Sequence, residues 1–311
     1  MAGFKEFRFT STNGKTEIYA CRWEPEGPPR GIVQISHGMA EHIARYDHFA
    51  RFLNDKGFLV VGNDHLGHGK TAASEDELGY FGEIDGWNHV VADMHKLREL
   101  MNNKYPGLPY FLFGHSMGSF LVRTYIIRYL NGITGVILSG TGQQRRSVIR
   151  AGEMVANAEV KKRGAKYRSQ KLNDLVFGNY NEGFTYVRTV YDWLSRDEAQ
   201  VKKYIDDPLC GYMPAAGLFR DMLGGLKFIS STRNLKRMKK DLPVFFISGE
   251  ADPVGEHGRG VIRAYRHFLK AGMTDVTLKM YPEGRHEMLN EINRDEVYED
   301  VLTWIESKMK K

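Results

Sequence analysis

The stretch YFLFGHSMGSFLVRTYIIRYL, residues 110–130, begins as an apolar run of strand length and ends with Phe120, Leu121, Thr124 and Tyr125 at helical spacing. Between the two halves lies Gly114-His115-Ser116-Met117-Gly118, a G-x-S-x-G pentapeptide. Its place at a strand-to-helix turn gives it weight. A serine on so sharp a turn takes a strained backbone conformation, and flanking glycines relieve the clashes there. The helix N-terminus behind it supplies oriented amides and a positive dipole end where an oxyanion develops. Ser116 is therefore the candidate nucleophile.

Working outward, GIVQIS (31–36), FLVVGN (58–63) and GVILSG (135–140) are further short apolar runs, suited to strands buried on both faces. Amphipathic stretches alternate with them. RYDHFARFLNDKG sets Tyr46, Phe49, Phe52 and Leu53 on one face and stops at Gly57. WNHVVADMHKLRELMNNKYPG carries Val90, Met94, Leu97 and Met101 at helical spacing before Pro106 ends it. FKEFRFT and TEIYACRW flank Asn13-Gly14, a turn dipeptide, so the chain is expected to open with two antiparallel strands. The alternation predicts an α/β protein with a mostly parallel sheet flanked by helices.

The rhythm breaks after Gly142. From Gln143 to about Lys240 no buried strand is legible, while SVIRAGEMVANAEV and DEAQVKKYIDDPLCG read as helices. It resumes with LPVFFISGEAD, a helix near Arg259 to Lys270, DVTLKMYPEG and a closing helix through Val301, Trp304 and Ile305. The expected organisation is one α/β core, 1–142 and 241–311, interrupted by a helical cap at 143–240. Such excursions from a rigid scaffold often carry function.

Composition narrows the classes. The 311 residues hold 44 Lys plus Arg against 38 Asp plus Glu, an excess of +6 that is far from a nucleic-acid-binding arm. Only two cysteines occur, Cys21 and Cys210, too few for a disulfide framework or a zinc cluster and compatible with a reducing compartment. No stretch has signal-peptide or membrane-span character, so a soluble cytoplasmic protein is expected. The oligomeric state is not readable.

A serine hydroxyl needs a general base, and the base needs a partner that fixes its tautomer. In α/β-hydrolases these follow the nucleophile in the order Asp or Glu, then His, on loops leaving sheet strands. Asp252 follows VFFISGEAD and His286 follows TLKMYPEGRH, which suits both roles. Asp241 and Asp275 precede their strands, Glu250 lies closer to the strand end, and His257 and His267 fall in the intervening helical region. His37-Gly38 follows GIVQIS, where the same template draws the second oxyanion amide, so the backbone N–H groups of Met39 and Met117 form the expected oxyanion hole. A metal is the rival reading for His37, His42, His48, His65 and His68. Their spacing matches no ligand pattern, and loop-holding hydrogen bonds are the expected role, with no metal and no cofactor.

In HGMAEHIARY, NDHLGHGKT, FGHSMGS, ISGEADPVG and YPEGRHEMLNE the chain resembles the α/β-hydrolase superfamily, and within it the monoacylglycerol lipase and bacterial lysophospholipase group. YDWLSRDEAQVKKYIDDPLCG resembles bacterial members as well. The resemblance implies a serine carboxylic-ester hydrolase acting on acyl esters such as monoacylglycerols through an acyl-enzyme on Ser116. Its alternatives are a lysophospholipase or short-chain esterase, then a serine peptidase or acyltransferase, or a non-catalytic binding protein on the same fold. It also implies that Glu41 and Arg45 lie near the alcohol pocket. Two positions depart from the group: Met39 replaces a small residue after His-Gly, and Leu289 stands where its best-known lipases have histidine. In the cap, Met213 and Leu218 are expected to line the acyl site, and the basic residues Arg145, Arg146, Arg150, Lys161, Lys162, Arg163, Lys166 and Arg168 to make transient contact with lipid surfaces.

Overall fold

The computed structural model describes residues 3–309. Strands β1 (Gly3–Thr10) and β2 (Glu17–Glu24) pair antiparallel, with Thr10 opposite Glu17. The loop between them is longer than a two-residue turn. Ser11 N–H donates to the Thr16 carbonyl at 2.7 Å, and Gly14 takes φ 73°. Then follow β3 (Gly31–Ser36), α1 (Asp47–Asp55), β4 (Phe58–Asn63), α2 (Gly86–Lys104), β5 (Tyr110–His115), α3 (Met117–Arg128) and β6 (Gly135–Ser139). Tyr46, read as helical from its spacing, lies instead in a 3-10 turn, Ile43–Tyr46, that precedes α1.

Between β6 and β7 the chain makes its long excursion through α4 (Arg146–Arg163), α5 (Gln170–Phe177), a 3-10 turn at Asp192–Leu194, α6 (Glu198–Asp206), α7 (Ala216–Ile229) and α8 (Thr232–Leu235). No strand occurs there among the described residues. The chain returns with β7 (Val244–Gly249), α9 (Arg259–Lys270), β8 (Val276–Tyr281) and α10 (Arg294–Met309).

Among the described residues the sheet has eight strands in the order β1-β2-β4-β3-β5-β6-β7-β8, of which β2 alone runs against the rest. Side chains alternate across it. Leu59, Leu112, Val136, Leu138 and Phe246 face α2, α3 and α9, whereas Val60, Phe111, Phe113, Ile137 and Phe245 face α1 and α10. Both faces are covered, and this is why the central strands read as unbroken apolar runs. Parallel strands align their C-terminal ends on one edge, so the loops after β3, β5, β7 and β8 converge there. That edge is where ligands of open α/β sheets bind.

Candidate active site

Ser116 is the single residue between β5 and α3, with φ 53° and ψ −123°. Non-glycine residues avoid this region, so surrounding packing must impose it. The two glycines of the pentapeptide show how. A Cβ on Gly118 would lie 2.0 Å from the Ser36 carbonyl oxygen, and one on Gly114 would lie 2.7 Å from that of Gly118. The first turn of α3 is pressed against the end of β3, and only hydrogen fits at the contacts.

Asp252 follows β7 and His286 follows β8. Their loops meet because a Cβ on Gly249 would fall 1.9 Å from the Gly284 oxygen, and Ala251 N–H donates to that same oxygen at 2.9 Å. The result is a buried pair in which His286 Nδ1 lies 3.0 Å from each oxygen of Asp252. Nδ1–H therefore donates to the carboxylate, which leaves Nε2 as a lone-pair acceptor. The other candidates lie elsewhere: Glu250 and His257 are exposed, and Asp275 accepts from Lys308 at 2.8 Å.

Burial pulls the His286 pKa down. The charge and hydrogen bond of Asp252, with further help from Glu287 and Glu41, outweigh this and hold it above the ordinary histidine value. Beside it, His115 is pushed down to about 4 by burial and by the neighbouring His286, so it stays neutral, with ring centroids 4.6 Å apart.

Gly38 brings the loop after β3 to the serine: a Cβ there would sit 3.1 Å from Ser116 Cβ. The loop is held by His37, whose Nδ1 donates to the Gly38 carbonyl at 2.7 Å while Nε2 accepts from His65 N–H at 3.0 Å. Burial keeps His37, His65 and His68 neutral, and His37 packs against both other rings. His42 pairs with Asp207, and His48 is exposed.

Glu41 and Arg45 build a buried clamp behind this loop. Glu41 accepts from Gly38 N–H at 2.5 Å, from the Tyr46 hydroxyl at 2.9 Å and from Arg45 at 2.6 Å. Arg45 makes two further bonds of 2.7 Å to the carboxylate of Glu287, and its guanidinium lies 4.8 Å from the Tyr204 ring centroid. A cavity of about 10 Å³ is lined by Glu41, Arg45, Tyr46, His115, Glu287 and Leu289. Of the two residues expected to line the acyl site, Met213 is half-buried, whereas Leu218 is fully buried in the main apolar cluster with residues of α2 and α3 and so has no surface to offer a substrate.

Sequence reasoning missed Glu287 and Trp193. Trp193 packs against the His286 ring with centroids 5.1 Å apart, and its carbonyl accepts from His286 N–H at 3.3 Å. Leu194 does the same for Glu287 N–H at 2.7 Å. The excursion therefore braces the histidine loop. The only sequence signal was that Glu287 adjoins the candidate base.

The family described as serine aminopeptidase, S33, matches residues 27–293. The chain belongs to this family. This serine hydrolase carries the α/β-hydrolase fold, and its relatives cover nearly its whole length. It is 29% identical over 308 residues to a monoacylglycerol lipase of Mycolicibacterium smegmatis, spanning 98% of both chains. To the monoglyceride lipase of Homo sapiens it is 28% identical over 302 residues, 95% of this chain and 89% of the other. Among solved structures it superposes on a thermostable carboxyl esterase from Bacillus coagulans in complex with glycerol, with a TM-score of 0.92, 33% identity and 99% of each chain covered.

Proposed function

We propose that this serine hydrolase cleaves acyl esters, with monoacylglycerols as its substrate class. The observation that carries the reading is the buried His286–Asp252 pair on the sheet edge where Ser116 sits in its strained turn. His286 Nε2 takes the Ser116 proton as Oγ attacks the ester carbonyl, and Asp252 holds the imidazole in the required tautomer. The Met39 and Met117 amides receive the developing oxyanion. The alcohol leaves with the proton from His286, and water then repeats the attack on the acyl-enzyme.

Glu41 and Glu287 both line the cavity beside His115 and both bond to Arg45, a polar setting that suits a hydroxylated alcohol portion. The relatives named as monoacylglycerol and monoglyceride lipases support the glycerol ester. In this reading residues 143–240 form a cap, and the acyl chain lies between core and cap beside Met213. The exposed Val148 and Met154 share α4 with exposed Arg150, Lys161 and Lys162, a pairing that supports transient contact with anionic lipid. No helix among the described residues is long and apolar enough to cross a membrane. Cys21 and Cys210 are free and buried, in keeping with a cytoplasmic setting.

The test is hydrolysis of p-nitrophenyl esters of graded acyl length beside monoacylglycerols and lysophospholipids. Monoacylglycerol turnover is expected to exceed that of lysophospholipid, and the reverse order would replace the substrate assigned here. The pH profile is a second check. Because the His286 pKa is raised, the acid limb of kcat/KM is expected above pH 6.5, the rate falling as His286 protonates below it. Glu287→Gln removes one of the charges that raise it, so the limb should move to lower pH.

A further inference from the structure

At the seam between the loop after β3 and the excursion, His42, Asp207 and Cys210 each offer a donor atom, and the three lie within 4.8 Å of one another. His42 immediately precedes the 3-10 turn that carries Arg45, and Asp207 and Cys210 follow α6. We propose that these three side chains form a binding site for a divalent transition metal of the zinc class.

The donor set points to that class. One imidazole, one thiolate and one carboxylate are the ligands zinc and cobalt take, whereas magnesium and calcium call for oxygen alone. The nitrogen–oxygen edge is already near ligating separation, and the sulfur stands within 4.8 Å of both. His42 Nε2 and Asp207 Oδ2 are already 2.8 Å apart, and a tetrahedral ion with bonds of about 2.0–2.3 Å spreads its ligands only slightly more. Asp207 is prepared for it, because its other oxygen, Oδ1, accepts from Leu209 N–H at 2.8 Å and so fixes the carboxylate's orientation.

Cys210 is buried, while the Asp207 side chain is 31% exposed, which gives an ion a path in and leaves room for water as fourth ligand. The local charge suits a cation. Arg45 acts electrostatically on Cys210, but it is matched by both Glu41 and Glu287, so with Asp207 the neighbourhood is net negative before an ion arrives.

Binding proceeds by simple exchange. The Cys210 thiol loses its proton to solvent as the metal–sulfur bond forms, and the His42 proton moves from Nε2 to Nδ1 as Nε2 ligates. Burial pushes the thiol pKa up, so the metal must compete with a tightly held proton and affinity rises with pH. The frame around the site is already ordered, since Gly211 N–H and the Tyr204 hydroxyl donate to the Ala40 carbonyl at 3.0 and 2.9 Å. An ion here would tie the excursion to the loop that faces Ser116.

The test uses chelator-stripped full-length protein titrated with cobalt(II), read by near-ultraviolet thiolate-to-cobalt absorption and so independent of any ester turnover. One equivalent is expected to produce the band, and zinc to erase it. Cys210→Ser should abolish the band, Cys21→Ser should leave it, and Asp207→Asn should weaken binding at least about tenfold. Thermal melting of each metal-free variant checks that it is folded. Absence of the band in the parent, its survival in folded Cys210→Ser, or unchanged affinity in folded Asp207→Asn would each overturn the site.

Discussion

Ser116→Ala is expected to lower kcat for ester hydrolysis about a million-fold, and His286→Ala by a similar factor, because in the proposed mechanism nucleophile and base act as one unit. The geometry explains why neither can be spared. His286 Nδ1 is committed to Asp252, so its proton-accepting nitrogen is Nε2 alone, and in the proposed mechanism that nitrogen takes the serine proton. A second consequence separates this unit from two independent contributions: the double variant should be no slower than either single one. The residue of activity comes from binding and the oxyanion amides, which both substitutions leave in place. Steady-state kinetics on the preferred ester, with fluorophosphonate labelling of the parent and of Ser116→Ala, measures this. Multiplicative losses in the double variant would mean that the pair does not work as assigned.

Glu41→Ala is expected to lower the free energy of unfolding by about 1–3 kcal/mol, the scale of stranding buried donors, since Arg45 keeps its bidentate pair with Glu287. Burial alone would raise the Glu41 pKa, but the Arg45 charge, assisted by His115, Gly38 N–H and Tyr46, holds it below the ordinary value of 4.5. A depressed carboxylate pKa contributes stability that is present above the unfolded value and lost as pH falls through the folded one. The alanine variant forfeits that contribution, strands the Tyr46 hydroxyl and frees Gly38, the residue opposite Ser116. Activity should therefore fall through kcat, since the loop that presents Met39 loses its anchor. Urea denaturation together with kinetics decides the matter. If Glu41 served only to bind the alcohol, stability would be unchanged and KM alone would rise.

The strand-to-helix turn at Ser116, the order of Asp252 and His286 after it and the alternating elements were all readable from the chain. Each depends on rules that act over a few residues: apolar period, glycine at tight approaches, and capping at helix ends. The hairpin was legible as a hairpin, but its loop length was not. Ser11 and Thr12 dock on the Asp93 carboxylate of α2, and that long-range contact holds the loop in the longer form. Tyr46 kept its apolar role but lost its helix, since its hydroxyl is drawn to Glu41 in the turn that sets up the clamp.

The sequence by itself determined the fold class, the strained serine and the identity of its candidate partners, because sterics and hydrophobic periodicity are local properties of the chain. Only the tertiary structure decided what stands around them. Glu287 reaches Arg45 across 242 residues of sequence, Trp193 from the excursion braces the ring of His286, and His42 meets Asp207 across the seam. A buried charge is tolerable only where its counter-charge arrives, and which loops arrive together is set by strand order, a property no short window of sequence contains.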